Sequence, residues 1–558
     1  MNEIYVIDYF DQENLEIRFD NSPALIYFIS KIPSARYDEK NRCWYIDKKD
    51  RMFAKEFCDL AIRRNLAKEI VYLDDNKEAK GLADNMPELN TPFDHLKLDP
   101  YDYQLKGIRY MLEHKRCFNG DDMGLGKTFQ AIASISIAKA FPCLVICPAA
   151  MKVTWQREFQ KFIGKNALIL NNDNKSTWHR HFETGTCNIF ITNYESIKKY
   201  FIIGTKGKRL STKNLILDKR AAMFKSVVID ESHRCKNSTT HWSKYLEAIC
   251  KGKEYVYLLT GTPIVINNED LIQQLRIMDR LDDFGGIRKF KQRYCQGPNK
   301  SSNLSELNYR LWKTCYFRRE KSLVLKDLPE KTRQYLVVDI TNRKEYELAE
   351  NNLMSYLKDY EQASDDSIRK IAKAKGIVQI NVLRQIVARG KLNEAKKFIS
   401  DVIAGDNKLI VFAFHKSTID EIVQAFPGTV TVTGKDSQEQ KQKSIDLFQN
   451  GNDCKLIVLN YKSGGVGITL TAASRTLFVE FPWTASDCEQ SECRCHRNGQ
   501  KNSVNCYYLL ARGTIDEVIL NVIEQERSDS GIVTGATNDV EEIIIENSIE
   551  YYKNKNKW

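Results

Sequence analysis

The sequence predicts an α/β protein with two parallel-sheet units carrying helical insertions and a small α+β domain in front of them. Three observations carry that prediction. Short, wholly apolar runs bounded by turn residues alternate with amphipathic stretches of helical length, which is how a parallel sheet covered on both faces is built. The alternation occurs twice, on either side of a charged helical stretch over 342–402. Ahead of both lies a separate block that ends in a polar stretch at 74–78 and a proline-containing segment at 85–99, a composition shift that reads as a linker.

Taken in order, residues 1–80 are the N-terminal domain, 81–97 the linker, 98–340 the first unit, 341–530 the second and 531–558 a tail. In the first unit the predicted strands are 143–147, 188–192, 226–229 and 255–259, with helices over 129–139 and 154–162. In the second they are 408–414, 455–459, 476–481 and 504–510. The tail holds an acidic, isoleucine-rich stretch at 540–550 before Lys553, Lys555 and Lys557, which predicts an appended helix with a basic end.

A chain of 558 residues with 42% hydrophobic content has the length of about three to four domains and the apolar surface to fill their cores. Its 84 lysines and arginines against 73 acids, a net +11, give a mild bias toward polyanionic partners. The longest apolar stretch, 131–151, is interrupted by Lys139, Pro142 and Pro148, so no membrane partner is expected. The N-terminus is acidic and lacks a basic-then-apolar signal. Fifteen scattered cysteines without a C-x-x-C pair read as free thiols of a reducing compartment. Cys488, Cys493, Cys495 and His496 are of zinc-binding types, but their spacing is that of no finger or ribbon. The expected location is the cytoplasm of a bacterial or phage-infected cell, since the chain lacks large insertions, or the nucleus if the source is eukaryotic.

Chemistry is carried by two short motifs in the first unit and one in the second. Asp122, Met123, Gly124, Leu125, Gly126, Lys127 and Thr128 immediately precede a predicted apolar helix. Small glycines let backbone N–H groups wrap a phosphate, and the helix N-terminus adds the positive end of its dipole. Lys127 would reach the β- and γ-phosphates and Thr128 would hold Mg²⁺. The strict G-x-x-x-x-G-K-[ST] pattern breaks at its first glycine, where Asp121 stands, so the loop alone leaves open a glycine-rich turn without a ligand. Further on, the apolar run Val227, Val228, Ile229 delivers Asp230 and Glu231 at its C-terminal end. Asp230 suits the Mg²⁺ shell and Glu231 the attacking water, and phosphoryl transfer needs little beyond these and positioned positive charge. In the second unit Gln490, Arg494 and Arg497 stand at i, i+4 and i+7. A continuous helix would set them on one face, as arginine fingers toward a γ-phosphate or as ordinary surface arginines.

With these residues in hand the chain resembles the superfamily 2 helicase-like ATPases, and specifically their Swi/Snf branch, in motif order from Tyr101 to Glu517. Tyr103 and Gln104 are similar to the adenine-recognising Q motif, Asp122 to Thr128 to motif I, and Ile146, Cys147 and Pro148 with Trp155 and Phe159 to motif Ia. Asp230, Glu231, Ser232 and His233 resemble motif II, and Leu259 to Pro263 motif III; Arg318 and Arg319, then Leu328 to Lys331, resemble the end of the first lobe. Val411, Phe412, Phe414 and His415 look like motif IV, Ser463 to Ile468 like motif V, Gln490 to Gln500 like motif VI, and Gly513 to Glu517 closes the match. Departures are Ser232, Thr469 and Asn498, none of which removes a charge.

The resemblance implies two RecA-like lobes with ATP and Mg²⁺ between them, opening and closing as the lobes step along duplex DNA, generally without separating its strands. It implies nucleotide binding by Gln104, the motif I residues, Gly467, Arg494 and Arg497, and catalysis by Lys127, Asp230, Glu231, Arg494 and Arg497, with Thr128 and Asp230 on the metal. It also implies DNA contacts at Asn193, Tyr194, Gly465 and Trp483. Within 15–61, the runs Ile32 to Asp38 and Arg42 to Ile46 look like the HARP element of annealing helicases. That likeness implies a grip on branched DNA through Arg36 and Trp44, the alternative being a small domain in which Arg36, Tyr37 and Trp44 are structural. A basic run at 204–220, with Lys206, Lys208, Arg209, Lys213, Lys219 and Arg220, either flanks the duplex or is a solvated loop. Lys321, Lys326 and Lys331 are lesser candidates for DNA contact.

The expected function is thus a DNA-dependent ATPase and duplex-DNA translocase working on duplex or branched DNA in replication, repair or recombination, alongside single-strand-binding or replication proteins. The alternatives are a strand-separating DNA or RNA helicase, since motif II is spelled Asp-Glu-x-His, and an ATP-gated DNA-binding switch in a larger complex.

Overall fold

The computed structural model describes residues 2–8, 14–39, 42–74, 96–207, 210–261, 268–295, 303–325, 327–362, 366–461, 468–529 and 540–554. Strands β1 (Asn2–Asp8), β2 (Asn14–Arg18), β3 (Arg36–Asp38), β4 (Cys43–Asp47) and β5 (Ala67–Asp74) form one sheet in the order β3-β4-β2-β1-β5. Only the β1–β5 pairing is parallel. Side chains alternate across a strand, and both faces are used. Ile4, Val6, Leu15, Ile17 and Ile46 meet Leu25, Ile29, Ala54 and Phe57 of helices Pro23–Ile29 and Arg51–Arg63. On the opposite face Tyr5, Ile7 and Val71 pack with Tyr309 of helix Leu304–Thr314. Around that contact Lys313 bonds Glu69 at 2.9 Å, Arg42 donates to the Gln292 carbonyl at 2.6 Å and Arg293 pairs with Asp20.

The chain divides into two compact units, the first comprising Met1–Asp121, Thr128–Ile146 and Phe159–Arg319, the second Asp122–Lys127, Cys147–Glu158 and Glu320–Trp558. The larger sheet of the first unit is built from β6 (Arg116–Asn119), β7 (Cys143–Cys147), β8 (Leu168–Ile169) and β9 (Ile189–Asn193); a separate hairpin, β10 (Ile202–Thr205) and β11 (Leu215–Leu217), follows. The sheet then takes up β12 (Ser226–Asp230), β13 (Tyr255–Leu259) and β14 (Tyr316–Phe317), in the order β14-β6-β13-β12-β7-β9-β8. Strands β7, β9 and β12 are buried at every position, the reason each reads as an unbroken apolar run rather than an alternation. The parallel pairings put Asp230 level with Leu259 and Leu259 level with Asn119. The C-terminal ends of β12, β13 and β6 therefore stand side by side, where open parallel sheets bind ligands.

The second sheet is parallel throughout: β15 (Lys331–Val338), β16 (Leu409–Ala413), β17 (Val430–Val432), β18 (Leu456–Asn460), β19 (Arg475–Phe478) and β20 (Val504–Ala511), ordered β15-β20-β19-β16-β18-β17. β15 lies before the expected boundary at 340 yet pairs along its whole length with β20. As an edge strand with alternating exposure it carries charges on one face and lacks the apolar signature of a central strand. The charged stretch 342–402 forms helices Arg343–Gln362, Asp366–Gly390 and Leu392–Ala404. The tail helix Val540–Asn554 packs Ile544, Ile545 and Tyr552 into the same core as Tyr346, Leu353 and Leu357. Lys555 and Lys557 lie outside the described residues. All fifteen cysteines are free thiols, and all but Cys187 and Cys295 are buried.

Candidate active site

The phosphate loop leaves β6 at Asn119, and its turn depends on two glycines with left-handed backbone, Gly124 at φ +90 and Gly126 at φ +79. It ends in helix Lys127–Ile137, whose first N–H groups have no partners within the helix, the arrangement by which helix starts can bind anions. Lys127 Nζ lies 3.4 Å from the Asp122 carbonyl, and Thr128 is the second residue of the helix. Gly124 is also a point of close approach: a Cβ there would stand 3.3 Å from Arg497 Cβ and 3.5 Å from Lys321 Cε.

Asp121, the residue that breaks the glycine pattern, is fully buried. Its carboxylate accepts from Gln130 Nε2 at 2.8 Å and from the Arg319 backbone N–H at 3.0 Å, and pairs with the Arg319 guanidinium at 3.4 Å. Asn119 closes the ring, accepting from the Asp121 N–H at 3.1 Å and donating to Gln130 Oε1 at 3.2 Å. Arg319 also donates to the Tyr103 carbonyl. It therefore ties the base of the loop to helix Asp102–His114, where Gln104 Oε1 accepts from the Tyr101 N–H at 3.1 Å. A Cβ at Gly107 would overlap Gln130 Oε1 and stand 2.9 Å from Arg319 Nη1, so a larger residue there would displace these two side chains.

At the end of β12, Asp230 is buried and Glu231 is half-buried. Glu231 has φ 53 and ψ 51, a left-handed conformation that costs a non-glycine residue about 1–2 kcal/mol. Tyr194 braces this turn, its hydroxyl donating to the Asp230 carbonyl and, at 3.3 Å, to that of Glu231. His233 Nδ1 lies 3.1 Å from Thr260 Oγ1 and 3.4 Å from Glu231 Oε2, linking the carboxylates to the segment after β13. Ser232, a departure from the motif II pattern, donates to Gln274 Oε1 at 3.0 Å.

The expected helix face carrying Gln490, Arg494 and Arg497 does not exist. Helix Ala485–Glu492 stops with Cys493 as its cap, and both arginines lie on the turn beyond it. The turn is pulled away by side chains the helical spacing does not reveal. Gln500 Nε2 donates to the carbonyls of Thr471, Ala473 and Cys495, and the Leu470 N–H donates to the Arg494 carbonyl at 2.8 Å. Arg494 is buried, while Arg497 Nη1 donates to Thr469 Oγ1 at 2.6 Å and the Ile468 carbonyl at 3.2 Å.

A clamp from residues 320–333 holds this turn. Glu492, fully buried, accepts from Lys331 Nζ at 2.6 Å, Arg333 Nε at 2.7 Å and the Tyr508 hydroxyl at 2.7 Å. His496 Nε2 lies 2.9 Å from the Pro329 carbonyl, which can only accept, so that nitrogen carries the proton. His496 is thereby engaged in the clamp, and so is Cys493, whose Sγ accepts from Lys321 Nζ at 3.1 Å. Burial would raise the Glu492 pKa, but Lys331 and Arg333 outweigh it and hold the carboxyl down to about 2. Burial pushes His496 down to about 4, against the pull of the Pro329 carbonyl; Lys321 and Lys331 reinforce the drop and Glu492 opposes it.

Both shifts make acid destabilising. The lowered His496 pKa means the unfolded chain binds its proton first, so stability is lost as pH falls from 6.5 toward about 4. The Glu492 contribution is lost lower, from 4.5 toward about 2. Urea midpoints measured across this range are expected to fall in both windows. His496→Gln should flatten the upper window alone; an unchanged upper slope in that variant would refute the assignment.

Other predicted site residues fall as follows. Asn193 and Tyr194, expected at DNA, are buried; Asn193 donates to Glu195 at 2.6 Å and Tyr194 braces the carboxylates. Arg36 is exposed, bonding Asp47 and Asn14 at 3.1 Å each. Trp44 is half-buried against the core of its domain, its ring 5.3 Å from that of Tyr37. Trp483 is half-buried with the Arg384 guanidinium 4.8 Å over its ring; Arg384, not singled out by the sequence, also donates to the Tyr461 hydroxyl and the Phe481 carbonyl. Of the basic run, Arg220 is paired with Asp218 and lies over Trp178. Lys321 and Lys331 point into the clamp rather than to a nucleic acid. Gly465, Gly467, Thr262, Pro263, Lys208, Arg209 and Lys326 lie outside the described residues.

A phosphate loop and an Asp-Glu pair at the C-terminal edge of one parallel sheet, with an arginine-bearing turn on a second domain's sequence, define a helicase-like ATPase. Residues 103–392 match the SNF2-related domain and 390–499 the helicase conserved C-terminal domain. The chain belongs to the SNF2-related family.

Among its relatives is the SWI/SNF-related matrix-associated actin-dependent regulator of chromatin subfamily A-like protein 1 homolog of Caenorhabditis elegans, 28% identical over 92% of this chain and 73% of that protein. Its Drosophila melanogaster counterpart is 27% identical over 90% and 65%, and the human DNA annealing helicase and endonuclease ZRANB3 is 28% identical over 82% and 42%. The chain thus spans from about two fifths to three quarters of the length of these relatives. A solved structure, the Sulfolobus solfataricus SWI2/SNF2 ATPase core in complex with dsDNA, is similar at 24% identity over 82% of this chain and 97% of that one, with a TM-score of 0.37. No described helix is long and apolar enough to cross a membrane.

Proposed function

We propose that the protein is an ATP-dependent duplex-DNA translocase that works as an annealing or fork-remodelling motor. The observation that carries the ATPase part is the level alignment of Asn119, Leu259 and Asp230 across β6, β13 and β12. At about 4.8 Å per strand, the start of the phosphate loop and the carboxylate pair stand about 10 Å apart on one sheet edge, a span suited to a triphosphate. Support for the DNA part comes from relatives named as annealing helicases and from the N-terminal sheet domain.

In this reading the loop N–H groups and Lys127 hold the phosphates, and Glu231 orients and deprotonates the attacking water. Tyr194 and His233 keep the Glu231 backbone and carboxylate where the water must lie. Thr128 and Asp230 supply hard oxygen donors of the kind Mg²⁺ takes, and the metal, when bound, would neutralise phosphate charge. Arg494 and Arg497 would supply positive charge where negative charge develops on the leaving group.

Steady-state ATP hydrolysis measured alone and with single-stranded DNA, linear duplex, forked DNA or RNA tests the proposal. The expected result is strongest stimulation by forked or linear duplex. Stimulation by single strands or RNA alone would indicate a strand-separating helicase, and DNA-independent turnover with ATP-dependent DNA affinity a binding switch; either overturns the motor. Deleting residues 1–80 would uncover Tyr309 and strip Lys313 of Glu69. The role of that domain is therefore better tested by Arg36→Glu, which is expected to reduce fork preference and leave DNA-free turnover unchanged.

A further inference from the structure

Lys321 opens a short helix, Lys321–Val324, just after the Arg318-Arg319 pair. It is 9% exposed. Its backbone N–H donates to Asp122 Oδ2 at 3.0 Å, which fixes the residue to the first position of the phosphate loop. Its ammonium donates to the His496 carbonyl at 3.0 Å and to Cys493 Sγ at 3.1 Å. Among the described residues no carboxylate pairs with that ammonium. A carbonyl and a thiol are neutral acceptors, sulfur a weak one, and a buried cation with only neutral partners is held at a substantial desolvation cost. The ammonium has three donors, of which these two contacts use two.

What the ammonium faces is the turn of the phosphate loop. A Cβ built on Gly124 would lie 3.6 Å from Lys321 Nζ and 3.5 Å from its Cε, with Arg497 Cβ at 3.3 Å on the same position. With glycine there, no side chain stands between the Lys321 ammonium and the backbone of the loop. We propose that Lys321 is a second phosphate-binding lysine, whose remaining donor and uncompensated charge are directed at the phosphate oxygens of the nucleotide held by the loop. The inference rests on the reading of Asp122 to Thr128 as the nucleotide site and adds a residue outside the recognised motifs. The same ammonium, by holding the His496 carbonyl, seats the turn that bears Arg494 and Arg497, so phosphate binding and arginine placement meet at one side chain.

The test is calorimetric titration of the full chain with Mg-ATP and, separately, with adenosine, for wild type, Lys321→Met, Lys321→Arg and Lys127→Ala. Methionine keeps the buried stem and removes the charge. Loss of a charge-assisted hydrogen bond predicts about ten- to a hundredfold weaker ATP binding in Lys321→Met, unchanged adenosine affinity, and partial recovery in Lys321→Arg. If Lys127→Ala weakens ATP binding and Lys321→Met does not, the proposal is overturned and the lysine only positions the turn, which would appear as a lower kcat at unchanged nucleotide affinity. If neither variant alters ATP binding, the nucleotide-site reading itself fails. A denaturation midpoint for Lys321→Met near that of wild type keeps the comparison valid; if the variant does not fold, ATP affinity of Lys321→Arg against adenosine affinity decides, equal losses in both overturning the proposal.

Discussion

Lys127→Ala is expected to leave the protein folded and to lower its ATP turnover by about a hundred- to a thousandfold or more. The lysine is half-buried at the start of helix Lys127–Ile137, outside the buried face of that helix, with its ammonium 3.4 Å from the Asp122 carbonyl; a denaturation midpoint close to that of wild type is expected. Its effect on chemistry is larger because phosphoryl transfer offers little covalent work to a protein. Catalysis comes from positive groups preorganised where charge develops, and one such group carries about a hundred- to a thousandfold or more. The measurement is DNA-stimulated phosphate release beside a urea denaturation curve. Normal turnover by the variant would remove the loop from the mechanism, whereas lost turnover with a collapsed curve would report a structural lysine.

Asp121→Gly should do the reverse of what the motif suggests. It restores the first glycine of the G-x-x-x-x-G-K-[ST] pattern, yet it removes the carboxylate that holds Arg319 and Gln130. Breaking one half of a buried ion pair costs about 3–5 kcal/mol, because the other charge is left without a counterpart. A urea midpoint lowered to that extent is expected. Adding Arg319→Met should recover part of it, since no stranded charge then remains. A neutral Asp121→Gly would show that the pair contributes nothing to folding.

These two positions mark what a sequence discloses. The turn before Lys127 is legible because two glycines with left-handed backbone leading into a helix are a local pattern. Buried strands such as Cys143–Cys147 and Ser226–Asp230 are legible for the same reason, since burial on both faces leaves an unbroken apolar run. Asp121 is not legible, because its partner Arg319 is distant in sequence and nothing near it announces the pairing. The arginine turn failed differently. The i, i+4, i+7 spacing is a helical pattern, but Gln500 and residues 320–333 withdraw the chain from helix after Glu492. Tertiary hydrogen bonds there outweigh local propensity. The motif order associates Tyr194 with DNA; that its hydroxyl reaches the Asp230 carbonyl follows only from the placing of β9 and β12 on either side of β7.

The left-handed backbone at Glu231 sets two selective pressures against each other. Glycine or asparagine would occupy φ 53 with less strain, so a chain selected for stability alone would drift to one of them. Neither carries the carboxylate that, in the proposed mechanism, activates water. Holding glutamate there is a standing stability deficit of about 1–2 kcal/mol, offset by the Tyr194 brace beneath it. Thermostable variants of this fold chosen without regard to turnover would be expected to lose their chemistry at this residue first, and to do so without any visible change in the phosphate loop.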